Sequence, residues 1–183
     1  IIWLKEGLIE DITFKNYGPF YKNYFGGGAN RHIDELCRFV NDSTVVLPYI
    51  QDEYIKESPV DSINYYMLEE NYRILQNAKT LDGRNLIIHR IPMPDIEQLK
   101  YTHVVNNNSL QEFTNYFVSN KVVLIPKYWV EGMTKRQKQN DEEVKEIFEQ
   151  LFPGREIIQI YTLSINRGGG GIHCMTHEQP AID

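Results

Sequence analysis

Only two of the 183 residues are cysteines, Cys37 and Cys174. Two cysteines are too few for a disulfide-stapled scaffold, so we expect a reducing compartment and predict a cytoplasmic protein. The sequence also has no apolar run of membrane-spanning length, and no stretch near its start has the composition of a signal peptide. These absences argue against a membrane partner.

Positive charge is scarce as well. The chain carries 19 Lys and Arg against 25 Asp and Glu, which gives a formal net charge of −6. Nucleic acids and anionic membranes are bound through clustered basic side chains, so this balance argues against both partners. It suits a cationic substrate, although net charge alone is a weak indication.

A strand–strand–helix–strand pattern occurs twice in the sequence. Phe39-Val40 and Phe117-Val118 each precede a turn and a β-branched stretch that ends in proline, and self-similarity at a fixed shift indicates a repeat. We predict an α/β fold with repeat units at roughly 30–95 and 109–165; a generic α+β domain with coincidental similarity is the alternative. Further strands are predicted at 86–91 and 156–161, and helices at roughly 62–79 and 140–151.

The remaining segments are less regular. Residues 1–4 form a short apolar run that predicts a buried strand, whereas 6–30 is predicted to be a long aromatic loop and 92–109 a polar surface connection. The sequence begins with Ile1 rather than Met and ends just after a motif. We therefore expect it to be an internal piece of a longer protein.

The stretch 166–180 contains the strongest indication of chemistry. Four glycines, Gly168 to Gly171, allow close backbone approaches and are followed by Cys174. A thiol acts as a nucleophile when a neighbouring group removes its proton or lowers its pKa, and that group is commonly a histidine distant in sequence. Cys37 lies in an apolar context and is predicted to be a core residue.

The histidine that we predict for this role is His32. His32 and Asp34 alternate, so on an extended strand both side chains would point to one face, as an acid/base and its carboxylate partner require. Zinc binding by His32, His173, Cys174 and His177 is the metal alternative, but the spacing lacks a Cys-x-x-Cys pair, and we predict no metal. The glycine run is not followed by the residues of a phosphate-binding loop.

Both stretches resemble known motifs. The segment Gly168–Thr176 with Gln179-Pro180-Ala181 is similar to the C-terminal nucleophile motif of agmatine deiminases and of the Porphyromonas-type peptidylarginine deiminases grouped with them, which reads Gly-Gly-Gly-Asn-Ile-His-Cys. His32-Ile33-Asp34-Glu35 followed by Arg38-Phe39-Val40 resembles the family's Gly-His-x-Asp-x-x-x-Arg-Phe segment. The resemblance implies a five-bladed α/β propeller of strand–strand–helix–strand units, of which residues 1–183 would be the C-terminal portion, about half.

The resemblance also implies roles for the residues. Cys174 would attack the guanidinium carbon of the substrate, His32 would act as general acid and base, and Asp34 would bind the guanidinium. Agmatine would become N-carbamoylputrescine and ammonia through a covalent thiouronium, a step in putrescine biosynthesis, with no cofactor or metal. Arginine or peptidylarginine is the alternative substrate, and an inactive relative that serves as a binding module is the alternative function.

Three positions depart from the family pattern. Arg31 stands where the family has glycine, Gly171 replaces an asparagine, and His177 replaces a glutamine. The family also carries a second guanidinium-binding acid in its N-terminal half, and the segment 15–19 resembles that motif only by chance. We therefore expect weak or no activity from these residues alone, and a homodimer is possible from the sequence.

Overall fold

The structure is a computed structural model, and it describes residues 1–11, 25–27, 29–95, 107–109, 112–166 and 168–179. Single-turn 3₁₀ helices lie at Ile33–Glu35, Asp52–Tyr54 and His173–Met175. The α-helices are α1 (Pro59–Asn77), α2 (Lys135–Leu151) and the short α3 (Leu163–Asn166). The strands are β1 (Phe25–Gly27), β2 (Arg38–Phe39), β3 (Thr44–Tyr49), β4 (Ile87–Pro92), β5 (Asn107–Ser109), β6 (Phe117–Val118), β7 (Val122–Lys127) and β8 (Glu156–Tyr161).

The strand–strand–helix–strand pattern predicted from the sequence is present twice with the same topology. In each unit the first strand pairs antiparallel with the second, and the last strand pairs parallel with the second. The sheets therefore have the orders β2-β3-β4 and β6-β7-β8. Parallel neighbours need a crossover connection, which α1 and α2 supply.

Both long helices begin earlier than the hydrophobic spacing predicts, because each has a polar cap. The Ser58 hydroxyl accepts a hydrogen bond from the Asp61 backbone N–H at 2.9 Å, and Pro59 occupies the first helical position. Thr134 accepts from the Gln137 N–H at 3.2 Å in the same way. The caps satisfy N–H groups that the helix itself leaves unpaired.

Strand β3 is buried on both faces. Val45 and Leu47 belong to the hydrophobic cluster beneath α1, whereas Val46, which lies between them, packs with Tyr116 and Phe148 in the cluster beneath α2. Successive side chains of a strand point to opposite faces, so the first sheet contributes to both cores and the two units pack against each other. This arrangement accounts for the uninterrupted apolar run.

The N-terminal segment packs on α1 through two asparagines. Asn71 accepts a hydrogen bond from the Lys5 N–H, and Asn64 accepts from the Ile9 N–H, both at 2.8 Å. The prediction of a buried strand at 1–4 is wrong, because these residues form no strand and both Ile1 and Trp3 are exposed.

The segments predicted as loops contain one short strand pair. Strands β1 and β5 pair parallel, with Phe25 opposite Asn107. The rest of the predicted aromatic loop between 12 and 24, including the motif-like segment 15–19, lies outside the described residues, as do 96–106. Among the helices that are described, none is long and apolar enough to cross a membrane.

Candidate active site

Cys174 is presented by a tight turn that only small residues permit. The chain leaves α3, passes through Gly169 at a φ of +87°, and enters the 3₁₀ helix His173–Met175. A Cβ atom on Gly170 would lie 3.0 Å from the Cys174 Cβ and 3.1 Å from its Sγ. The glycines therefore allow the backbone to fold closely over the thiol.

Asp34 and Glu35 approach the thiol from the other end of the chain. The sequence suggests an extended strand around His32 and Asp34, but Ile33–Glu35 forms a 3₁₀ turn in which the Ile33 carbonyl accepts hydrogen bonds from the N–H groups of Leu36 and Cys37. The expectation that alternation puts both side chains on one face is therefore wrong here. The turn directs Asp34 and Glu35, rather than His32, towards the cysteine.

Two carboxylates contact the Cys174 thiol. Its Sγ lies 3.5 Å from Asp34 Oδ2 and 3.3 Å from Glu35 Oε1, although these residues are about 140 positions apart in the sequence. A thiol hydrogen can be donated to either oxygen, whereas a thiolate facing two ionised carboxylates would be repelled. The thiol and the two carboxyls are therefore not all ionised at the same time.

Asn115 connects the two approaching segments. Its Oδ1 accepts hydrogen bonds from the backbone N–H groups of His173 at 2.7 Å and Cys174 at 3.3 Å. Its Nδ2 donates to Asp34 Oδ2 at 3.3 Å and to Cys174 Sγ at 3.2 Å. One fully buried amide thus fixes the turn that carries the thiol and orients the carboxylate opposite it.

His173 contacts the same carboxylate oxygen of Asp34 as Asn115 does. Its Nδ1 is 2.7 Å from Asp34 Oδ2, a distance at which the tautomer protonated at Nδ1 donates a short hydrogen bond. The same two side chains border a cavity of about 400 Å³ whose other walls are mainly apolar, among them Leu4, Ile33 and Phe39. The site therefore has a polar end that opens towards an apolar surface.

The electrostatics of the two contacting carboxyls differ. Burial would raise the pKa of Asp34, but hydrogen bonds from His173, its own backbone and Cys174 bring that pKa below its usual value. Burial raises the pKa of Glu35 above its usual value, and the negative charge of Asp34 adds to the effect. Burial also raises the pKa of the Cys174 thiol to about 11, more than hydrogen bonds from the Gly171 backbone and Asn115 lower it, and the negative charges of Glu35 and Asp34 add to the increase.

A second glutamate, Glu112, lies behind Glu35. It is 0% exposed, its carboxyl lies next to that of Glu35, and neither of its oxygens has a hydrogen-bond donor among the described residues. Burial raises the pKa of Glu112 well above its usual value, and the charge of Glu35 raises it further. Two buried carboxyls in contact hold at least one proton at neutral pH, because two adjacent anions would repel each other in a medium of low dielectric constant.

This geometry can be compared with known proteins. Residues 1–180 match the family model described as Porphyromonas-type peptidyl-arginine deiminase. The chain belongs to that family. The family resemblance noted for the sequence motifs is thereby confirmed.

Relatives in this deiminase family match nearly all of the chain. It is 31% identical over 180 residues to a Legionella pneumophila (strain Paris) protein provisionally named agmatine deiminase. The alignment covers 98% of this chain and 42% of the relative. It is 25% identical over 194 residues to the agmatine deiminase of Pseudomonas aeruginosa (strain LESB58), and this alignment covers 99% of this chain and 44% of the relative. The chain therefore spans less than half the length of these relatives.

A solved structure supports the fold. A protein provisionally titled agmatine deiminase superposes with a TM-score of 0.70 at 25% identity, covering 98% of this chain and 43% of that one. The mixed α/β class predicted from the sequence is confirmed by this likeness. The number of propeller blades stays a prediction.

The deiminase motif residues predicted from the sequence are only partly brought together. Cys174 and Asp34 are in contact, whereas the His32 side chain is exposed and forms no hydrogen bond with Cys174, Asp34 or Glu35 in the part of the chain that the structure describes. His177, from the zinc alternative, is exposed. Cys37 is buried in the first hydrophobic cluster, as predicted. The catalytic roles of these residues stay predictions.

The position before His32 explains one departure from the family pattern. Arg31 has a φ of +65°, in the left-handed region that favours the glycine found there in the family. Its side chain forms an ion pair with Glu6 at 3.0 Å and lies against Gly7. The arginine is therefore tolerated at a cost in backbone strain, and its charge is paired with that of Glu6.

Several site residues were missed from the sequence. Asn115 and Glu112 lie in one segment that contains no recognisable motif. Glu35 follows Asp34 in the deiminase-like segment, but no pattern gives it a role, and only the folded chain brings it and Asn115 to Cys174. His173 sits beside the cysteine, but its sequence position gives no sign that it contacts Asp34.

The same site includes the one group of potential metal-ligand atoms in the described residues. Asp34, Glu35 and Cys174 each offer one such atom, all within 4.8 Å of one another. Asp34 Oδ2, Glu35 Oε1 and Cys174 Sγ are already engaged with one another or with Asn115. We assign no metal to them.

Proposed function

We propose that this chain is the C-terminal portion of an agmatine deiminase-type hydrolase that converts agmatine to N-carbamoylputrescine and ammonia. The observation that carries the proposal is the contact between the Cys174 thiol and the Asp34 carboxylate, 3.5 Å apart, in a member of the deiminase family. A guanidinium is a planar cation that pairs with carboxylates in a fixed orientation. In this proposal Cys174 is the nucleophile and Asp34 binds the guanidinium, and their contact supports both acting on one substrate group.

The proposed reaction proceeds in two steps. The Cys174 thiolate attacks the central guanidinium carbon, the tetrahedral adduct loses ammonia, and a covalent thiouronium remains on the sulfur. Water then attacks the same carbon, and the C–S bond breaks to release the ureido product and the thiolate. His32 would protonate the departing ammonia and then deprotonate the water, and Asp34 would hold the guanidinium.

The charges in the site favour a cationic substrate. Asp34 keeps its pKa below the usual value, and Cys174 has its pKa raised to about 11 in part by carboxylate charge. A bound cation offsets that negative potential, so binding of the substrate itself would promote ionisation of the thiol. In the free protein the thiol is predominantly protonated.

The two strand–strand–helix–strand units are, in this proposal, two blades of a five-bladed propeller. The support is the identical strand order of the two sheets and the 42% share of a relative that the chain covers. A site completed by other blades would hold the guanidinium loosely when they are missing, and small misplacements cost much of the rate. We therefore propose weak activity, or none, for residues 1–183 alone.

The test is ammonia release from agmatine, measured on the complete protein and on residues 1–183, with Cys174→Ala as the matched control. Turnover by the complete protein that disappears in the variant supports the proposal. Free arginine and an arginine-containing peptide are measured in parallel, because faster turnover of either would replace agmatine as the substrate. A complete protein that is silent on all three would overturn the deiminase proposal.

A second candidate is an inactive relative that acts as a binding module. The observation that favours it is the raised pKa of Cys174, which leaves the thiol mostly protonated in the free state. An amidine-bearing electrophile such as a haloacetamidine distinguishes the two candidates. Rapid modification of Cys174 that agmatine protects against supports the enzyme, whereas modification at the rate of an ordinary exposed thiol supports the binding module.

A further inference from the structure

Glu112 is a buried acid whose carboxyl group has no hydrogen-bond donor among the described residues. It is 0% exposed, and neither of its carboxylate oxygens receives a hydrogen bond from a donor group within the described part of the chain. Its backbone is tightly held, since the Glu112 N–H donates to the Tyr128 hydroxyl at 3.1 Å and the Tyr128 hydroxyl donates to the Glu112 carbonyl at 2.9 Å. The side chain thus lies next to Glu35, and no cationic group in the described residues is recorded as stabilising its charge.

An isolated carboxylate in this position would be very costly to bury, and proteins avoid that cost by keeping the acid protonated. Glu35 Oε1 can accept the S–H of Cys174, whereas neither oxygen of Glu112 has a donor among the described residues, so the shared proton resides mainly on Glu112. A protonated Glu112 has one O–H to donate, and the Glu35 carboxyl is the acceptor that it contacts. This leaves Glu35 as an anion whose Oε1 faces the Cys174 sulfur.

The two acids that touch the sulfur are suited to different tasks. Asp34 Oδ2 already has contacts with His173 Nδ1 at 2.7 Å and Asn115 Nδ2 at 3.3 Å, which stabilise its anionic form and make it a weak base. Glu35 has no comparable donors, and its Oε2 has no hydrogen-bond partner besides the Glu112 carboxyl within the described residues. Carboxyls whose environments differ in this way commonly divide acid–base work between them.

We propose that Glu35 is the base that takes the proton of the Cys174 thiol, and that a protonated Glu112 is the positioning residue that holds Glu35 for this transfer. The inference rests on the proposed function only in taking Cys174 as the reacting nucleophile. It adds a base for the thiol, separate from His32, whose proposed work concerns ammonia and water.

The transfer is balanced within the site. The S–H bond of Cys174 breaks, its electron pair stays on the sulfur, and an O–H bond forms at Glu35 Oε1, 3.3 Å away. Glu112 keeps its own proton throughout. The three groups carry two protons and one negative charge before and after the step, so no proton has to reach solvent.

Other charged groups face this pair and set its proton affinity. Asp34 lies on the same turn, Asp11 approaches from the N-terminal segment, and His173 and Cys174 approach from the C-terminal turn. Tyr128 contributes a neutral hydroxyl next to Glu112. The acids among them repel further negative charge, which keeps Glu112 protonated and strengthens Glu35 as a proton acceptor.

The experiment measures the rate of Cys174 alkylation by iodoacetamide against pH, on the full chain. This reagent is neutral and needs no guanidinium site, so the result is independent of deiminase turnover. Mass spectrometry of the modified peptide separates Cys174 from the buried Cys37. In the wild type we expect the alkylation rate of Cys174 to be independent of pH near neutrality, because proton movement from the sulfur to Glu35 leaves the total number of bound protons unchanged.

The variants distinguish a base from a mere charge. Glu35→Gln removes the acceptor, so we expect alkylation at neutral pH to fall at least about tenfold and to rise about tenfold per pH unit, as for a thiol that loses its proton to solvent. If Glu35 acted only as a negative charge, its loss would lower the thiol pKa and speed alkylation. Alkylation of Glu35→Gln as fast as wild type, or faster, therefore overturns the proposal.

Glu112 is tested by two replacements. In Glu112→Gln the amide N–H can donate to Glu35 in place of the carboxyl O–H, and we expect the pH-independent region to remain. Glu112→Leu has no donor, so Glu35 should keep its own proton to higher pH. The pH below which the alkylation rate falls should therefore rise by about one unit. A Glu112→Leu profile identical to wild type would refute the positioning role.

Two controls complete the design. Glu149→Gln changes an exposed glutamate on α2 and should leave the profile unchanged. Circular dichroism confirms that each variant is folded before it is alkylated. A protein that passes the alkylation tests but releases no ammonia from any guanidinium compound would refute the deiminase function and leave the Glu35 inference standing.

Discussion

Gly171 leaves the space that Asn115 occupies. A Cβ atom on Gly171 would lie 2.6 Å from Asn115 Oδ1 and 2.8 Å from its Cβ, closer than real atoms approach. Asn115 orients both Asp34 and the turn that carries Cys174. The site therefore requires a residue without a side chain at position 171. The family's asparagine at this position would not fit beside Asn115 in the conformation that this chain adopts.

The first prediction concerns that contact. In Gly171→Ala we expect Asn115 to be displaced, the hydrogen bonds to Cys174 and Asp34 to be lost, and deiminase turnover to fall at least about tenfold, since each lost bond to a charged group costs about 1.5–3 kcal/mol. Turnover of the complete protein measures the effect. Gly154→Ala is the matched control: its φ is +83° with nothing within 4 Å, so it should lower stability without reducing turnover. Equal losses in both variants would contradict the prediction.

The second prediction separates two histidines. His32→Ala should lower kcat by about 10²–10⁴-fold, because the variant lacks the proposed general acid and base. His173→Ala removes the hydrogen bond to Asp34 and should mainly raise KM, because guanidinium binding then relies on a less well oriented carboxylate. Steady-state kinetics on agmatine distinguish the two. If His173→Ala is the variant that loses kcat with KM unchanged, the acid–base role belongs to His173 instead.

The third prediction concerns Arg31, whose φ of +65° is costly for a residue with a side chain. Arg31→Gly should raise the free energy of unfolding by about 0.5–1 kcal/mol, since relief of backbone strain exceeds the entropy that glycine adds to the unfolded chain. Arg31→Ala loses the same ion pair with Glu6 and keeps the strain, so it serves as the control. Urea denaturation of both variants gives the comparison. No gain for glycine over alanine would show that this backbone is unstrained.

The fourth prediction is a pH dependence of stability that arises from Glu10. Burial raises the pKa of this carboxyl to about 7, more than its hydrogen bond from Asn64 lowers it. The folded state therefore binds a proton that the unfolded state has released between about pH 4.5 and pH 7, and stability falls as pH rises through that window. Above about pH 7 the lost stability does not return.

Glu10→Gln removes this dependence. At about pH 8 the variant should be more stable than wild type by up to about 3 kcal/mol, and at about pH 4 the two should agree. Urea denaturation at both pH values measures the difference, and Glu70→Gln, an exposed residue on α1, should show none. A wild type that is no less stable than Glu10→Gln at the higher pH would mean that Glu10 ionises in the folded state without cost.

The sequence by itself determined the repeated architecture and the family. Strands β3 and β7 can be predicted because β-branched runs bounded by turn residues are typical of strands. Helices α1 and α2 can be predicted because their apolar positions recur at helical spacing. The glycine run and Cys174 were likewise readable, since close backbone packing around a thiol requires glycine. Element starts were less accurate, because the caps at Ser58 and Thr134 act through hydrogen bonds rather than hydrophobicity.

Only the tertiary structure decided which groups surround the thiol. Residues 32–34 read as an extended strand, but the chain forms a 3₁₀ turn there, and so Glu35 rather than His32 meets Cys174. Asn115 and Glu112 come from a segment without any motif, and their importance arises from being buried between two distant stretches. Sequence spacing records local periodicity, whereas the proton affinity of a carboxyl depends on neighbours and burial that long-range packing alone supplies.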